Sequence, residues 1–165
     1  MDDQNNCEYS RAPTIEDLVT LCKELNNAGV RYILIGGFAV ALQAYARGTK
    51  DIDLLIDPSP GNIQRIKKAM SSLPDNAIAL IQDYEIQQYQ VVRIADEFVV
   101  DLMAKACGID YEAAKSDIDF ITVDNVKIPT ATKELLIRTK NTIRPSDQMD
   151  VNALKQRIEE EKKRK

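Results

Sequence analysis

The run Lys50-Asp51-Ile52-Asp53-Leu54-Leu55-Ile56 constrains this chain most. Its aliphatic residues read as a buried strand, and side chains two apart on a strand share a face. Asp51 and Asp53 therefore point the same way, with Ile52, Leu54 and Ile56 expected in the core. Two carboxylates held side by side repel each other unless a positive charge sits between them, and a bound divalent cation is the simplest such charge. A lone D-x-D is also an ordinary strand-end arrangement in which each carboxylate accepts local backbone donors. The rest of the chain decides between the two.

The 165 residues include no histidine, which excludes serine–histidine and cysteine–histidine nucleophilic chemistry and any histidine-held metal. Three cysteines, Cys7, Cys22 and Cys107, are odd in number and far apart, which argues against a disulfide framework or a zinc cluster. A metal here has to be hard and held by carboxylates, so Mg²⁺ or Mn²⁺ is expected. The net charge of −4 does not favour general nucleic-acid binding. The basic tail 162–165 reads as a solvated helix end. No apolar run is long enough to span a membrane and the first residues lack the pattern of a secretory signal, so a cytoplasmic location with no membrane partner is expected.

In chain order, Thr14 and Asp17 have the spacing of a capping box, opening a helix with the stripe Ile15, Leu18, Val19, Cys22 and Leu25 and ending near Gly29. A strand over 30–35 meets Gly36-Gly37 and a buried helix over 38–45. Two glycines at such a junction let backbone N–H groups approach a phosphate, although neither G-x-G-x-x-G nor a Walker loop is present. After the D-x-D strand, Ile63, Ile66, Met70 and Leu73 mark a helix. Residues 77–81 read as a short strand or extended link, and 85–94 as a second extended region. Residues 98–103 form an apolar strand in which Asp101 is the only charge; a carboxylate there must be paired, hydrogen-bonded, metal-bound or at a strand end. A short helix over 108–115 and a hairpin turning at Asp124-Asn125 follow. The next helix is expected to run to about residue 142, with a break at 144–147, Ser146 or Asp147 as cap, and a last helix carrying Val151, Leu154 and Ile158. The whole reads as one α/β (α+β) unit over 13–158, with 1–12 and 159–165 as flexible or fraying termini.

The order glycine pair, Asp51-x-Asp53 and a distant Asp101 resembles the nucleotidyltransferase superfamily built on the DNA polymerase β-type palm. Arg47-x-Thr49-x-Asp51-Ile52-Asp53 is similar to the R-x-T-x-D-h-D stretch of small bacterial nucleotidyltransferases related to the toxins of abortive-infection toxin–antitoxin systems. Lys140, Arg144-Pro145, Asp147 and Asp150 look like their C-terminal K…R-P-x-D-x-x-D stretch, with Ser146 where a basic residue is common. The resemblance implies a palm-like mixed sheet flanked by helices, with C-terminal helices. It implies transfer of a nucleoside monophosphate from a nucleoside triphosphate to a hydroxyl acceptor, with loss of pyrophosphate. Asp51, Asp53 and Asp101 would be the catalytic metal ligands. Gly36, Gly37, Arg47, Thr49, Lys140 and Arg144 would contact nucleotide or phosphate, supported by Asp147 and Asp150. Lys140 and Arg144, four apart, are expected on one helix face. The acceptor could be tRNA or another RNA, a protein or a small molecule, and an antitoxin is a candidate partner. A nucleotide-binding sensor without transfer, or a non-catalytic interaction protein of the toxin–antitoxin kind, fits the same residues.

Overall fold

The computed structural model describes residues 10–165. Cys7 and the first nine residues of the expected flexible lead lie outside the described residues.

Helix α1 (Ile15–Asn27) is opened by the Thr14–Asp17 capping box and buries Leu18, Leu21, Cys22 and Leu25. Ile15, expected in that stripe, is 42% exposed, whereas Leu21, six residues further on, is buried. Strand β1 (Tyr32–Ile35) is buried along its whole length, and helix α2 (Gly36–Gln43) begins at the glycine pair itself rather than at Phe38. β2 (Asp51–Ile56) returns antiparallel to β1, burying Ile52, Leu54, Leu55 and Ile56 completely.

Helix α3 (Pro60–Met70), a 3₁₀ turn (Ala77–Leu80), helix α4 (Asp83–Gln88) and strand β3 (Val91–Ala95) lead to β4 (Val99–Met103), which pairs parallel with β2 and antiparallel with β3. Two expectations fail in this crossover. Residues 77–81 are not a strand, and 83–88 are helical because Gln82 and Glu85 make a reciprocal capping box, a local pairing that outweighs the imperfect alternation of Gln87, Gln88 and Gln90.

The expected helix over 108–115 is shorter. Two-residue strands β5 (Lys105–Ala106) and β6 (Ile109–Asp110) come first, and helix α5 (Tyr111–Ala114) is capped by Asp110. β7 (Ile118–Val123) and β8 (Val126–Ala131) form the hairpin at Asp124-Asn125, both of which have positive φ, as a two-residue turn of matching twist requires. Helix α6 (Lys133–Thr139) stops short of residue 142, and α7 (Pro145–Lys163) starts with Pro145 in its first turn and Arg144 as a non-bonding N-cap. Neither Ser146 nor Asp147 caps it; Pro145 presets the backbone angle, and Asp147 lies inside the first turn.

The result is one mixed six-stranded sheet, in the order β3-β4-β2-β1-β8-β7, flanked by helices. α1 packs against α3, while α2 packs against α6 and α7, which also pack on each other. The D-x-D strand sits inside the sheet, between β4 and β1. Among the described residues no helix is long and apolar enough to cross a membrane.

Candidate active site

One rung of the sheet builds the centre of the site. Ile35 of β1 pairs with Asp53 of β2, Asp53 with Asp101 of β4, and Asp101 with Arg93 of β3. Residues paired in register put their side chains on one face, so Asp53, Asp101 and Arg93 stand in a row and Asp51, two residues back, joins them. Ligand oxygens of Asp51, Asp53 and Asp101 all lie within 4.8 Å of one another, a group able to hold a metal ion. Three carboxylates without histidine or cysteine suit a hard cation such as Mg²⁺ or Mn²⁺.

The electrostatics show what that convergence costs. Burial, then the charges of Asp51 and Asp101, push the Asp53 carboxyl up to about 8, with Lys140 pulling the other way. Asp51 is raised as well, by burial and then by Asp101, against the opposing charges of Arg93 and Arg47. The pair tends to retain a proton until a cation takes its place.

The glycines make room for this row. Gly36 has φ +73°, and a Cβ there would fall onto the Asp53 carboxylate and stand 2.8 Å from the Asp53 Cβ. A Cβ on Gly37 would come within 2.8 Å of Thr49 Oγ1. Whatever they offer a ligand, both positions are already required by the close approach of β2 and the segment before it. Thr49 donates to the Asp51 carbonyl at 2.9 Å, which ties down the start of the strand.

The triad opens into a cleft of about 530 Å³, whose lining includes Gly37, Arg47, Thr49, Lys140, Arg144, Asp147 and Asp150. Gly36 lies behind Asp53. Lys140 and Arg144 do not share a helix face: they close α6 and open α7, on either side of the connecting turn, because α6 ends at Thr139. Asp150, 1% exposed, accepts from Tyr45 at 2.8 Å, from Lys140 at 2.9 Å and from Arg47. Burial alone would raise its pKa, but the hydrogen bonds from Lys140, Arg47 and Tyr45 outweigh it and hold the carboxyl below its usual range. Asp147 is lowered in the same way, burial being overcome by Thr142 and Arg144, which donate at 2.5 and 2.8 Å. Asp150 thus ties the segment before β2 to the two C-terminal helices.

Two residues of this constellation escape a reading of the sequence. Arg93 donates to both oxygens of Asp101 and approaches Asp51, yet on its own strand it is merely an exposed charge in an alternating pattern. Tyr45 resembles the end of an apolar helix; its hydroxyl bond to Asp150 spans 105 positions.

No family model matches the sequence, and no curated protein matches it. Solved structures do. A putative nucleotidyltransferase from Thermotoga maritima aligns with a TM-score of 0.54 at 16% identity, over 88% of this chain and 92% of that one. The lincosamide antibiotic adenylyltransferase LnuA, in its lincomycin-bound form, aligns with a TM-score of 0.54 at 18% identity, over 88% of this chain and 98% of that one. With its mixed sheet, the row of carboxylates on its inner strands and these structural neighbours, the chain has the DNA polymerase β-like nucleotidyltransferase fold.

Proposed function

We propose that the protein is a metal-dependent nucleotidyltransferase that moves a nucleoside monophosphate from a nucleoside triphosphate to a hydroxyl acceptor. The observation that carries this reading is the meeting of Asp51, Asp53 and Asp101 within 4.8 Å, in a cleft also lined by Arg47, Lys140 and Arg144. Asp51, Asp53 and Asp101 would hold Mg²⁺ or Mn²⁺, which when bound lowers the pKa of an attacking hydroxyl and offsets triphosphate charge. The acceptor oxygen attacks the α-phosphorus and its proton passes to a carboxylate of the triad. The bond from the α-phosphorus to the oxygen bridging to the β-phosphate breaks, and pyrophosphate departs. Arg144, largely exposed at the rim, and Lys140, against Asp150, supply positive charge near the departing group.

The acceptor belongs to one of three classes: RNA, including tRNA; a protein; or a small hydroxylated molecule. The antibiotic adenylyltransferase among the structural neighbours, with lincomycin bound, supports the last of these. A cytoplasmic role paired with an antitoxin belongs to the same proposal and follows from the resemblance of the Arg47–Asp53 and Lys140–Asp150 stretches. The test is incubation with Mg²⁺, each α-labelled nucleoside triphosphate and, in separate arms, cellular RNA, cellular protein and a panel of small polyols and aminoglycosidic alcohols. Pyrophosphate release and label transfer that vanish in Asp51→Ala/Asp53→Ala are expected. Nucleotide binding with no pyrophosphate in any arm would turn the reading into a sensor, and neither binding nor release would remove it.

A further inference from the structure

Asp101 offers both of its oxygens to a single guanidinium. Arg93 Nε donates to Oδ1 at 2.9 Å and Nη2 to Oδ2 at 3.0 Å, and the same Nη2 lies 3.3 Å from Oδ2 of Asp51. A fixed monocation therefore bridges two of the three candidate metal ligands, while Asp53 forms no ion pair with a described residue. The contact is built in by the sheet: Arg93 and Asp101 are direct cross-strand partners, and the planar fork of an arginine matches the two oxygens of a carboxylate. Among the described residues β3 is an edge strand, and the Arg93 side chain is 55% exposed.

We infer that Arg93 is a positioning residue that stands in for a second divalent ion. In the absence of nucleotide, one ion is accepted by the Asp51–Asp53 side, and the Asp101 side stays closed by the guanidinium. The inference rests on the reading of the three aspartates as a metal centre, and adds that the number of ions held is set by the neighbouring strand. Arg93 also lines a smaller cleft of about 280 Å³ on the other side of Asp51, together with Lys50 and Arg11, so a guanidinium leaving Asp101 remains at the junction of the two clefts.

Titration of the nucleotide-free protein with Mn²⁺, reading free ion by electron paramagnetic resonance, tests this without any turnover. The wild type is expected to bind one ion and Arg93→Ala two, since removing the guanidinium frees both oxygens of Asp101. Arg93→Lys keeps the charge but loses the fork, and is expected to follow Arg93→Ala in the number of ions bound. Thermal melts of the three proteins establish that each is folded. An unchanged isotherm in both variants overturns the inference, and so does Arg93→Lys behaving as wild type, since that would reduce the effect to long-range repulsion. In either case Mn²⁺ binding by the wild type and its pyrophosphate release leave the transferase reading standing. No Mn²⁺ binding by any of the three proteins removes both.

Discussion

Gly36 and Asp53 compete for the same space: a methyl group on the glycine would stand 2.8 Å from the aspartate Cβ and closer still to its carboxylate. Gly36→Ala would also force a side chain onto a backbone with φ +73°. The expected result is a loss of about 1–3 kcal/mol of stability in urea denaturation, the usual scale for a side chain in a sparsely allowed backbone region. Divalent-ion binding should fall with it, because the ligand itself is displaced. Gly48→Ala, where an added Cβ meets nothing within 4 Å, is the matched control and should change stability little.

The raised Asp53 carboxyl gives the metal-free protein an unusual pH response. Its folded value of about 8 lies above the ordinary carboxylate value, so between about 4 and about 8 the folded state holds more protons than the unfolded chain. Stability contributed by this group is present at the acidic end of that window and lost as pH rises through about 8. Saturating Mg²⁺ replaces the proton and should cancel the loss. Urea midpoints at pH 5 and pH 8, with and without Mg²⁺, are expected to show a drop only in the metal-free pair. Equal drops in both would contradict the metal assignment.

Asp53→Asn removes one member of the repelling group while keeping its shape. It should stabilise the metal-free protein at pH 8 by about 1–2 kcal/mol, a fraction of the linkage implied by the raised carboxyl, and abolish tight Mn²⁺ binding. A gain in melting temperature together with a loss of ion binding is the signature. A loss of both would mean that the carboxylate is structural.

Asp150 has the opposite character. Its buried carboxylate joins Tyr45, Arg47 and Lys140, and Asp150→Asn would leave two cations facing a neutral amide in a largely enclosed place. The expected cost is about 3 kcal/mol, the lower end for breaking a buried ion pair. Because Asp150 titrates below the ordinary range, its contribution is present above the unfolded-state value and is lost as pH falls through its folded value. The stability difference between wild type and variant should therefore narrow as pH falls, which chemical denaturation at pH 7 and at pH 3 would show as a smaller gap at the lower pH.

Much of the site is local in origin and legible as such. Asp51 and Asp53 share a face because strands alternate, Asp101 stands out as the one charge in an apolar run, and Thr14 with Asp17 or Asp124 with Asn125 announce a helix start and a turn from neighbouring residues alone. What escaped depends on pairing across the chain. Arg93 matters only because β3 and β4 align it with Asp101, and Tyr45 only because α7 brings Asp150 beneath it. Gly36 and Gly37 invite a phosphate reading from their sequence, while their contacts with Asp53 and Thr49 give a packing reason of their own. Lys140 and Arg144 were expected on one helix face, a placement that held only if α6 continued for another turn.

The aspartates on β2 and β4 are neighbours in space, yet α3, α4 and β3 are made between them, and Lys140 and Asp150 come later still. A chain emerging from the ribosome would present Asp51 and Asp53 some ninety residues before Lys140, so the ion pairs of Lys140 with Asp147 and Asp150 form last. The cleft is thus completed by the last-made segment of the chain, after the strands that carry its aspartates.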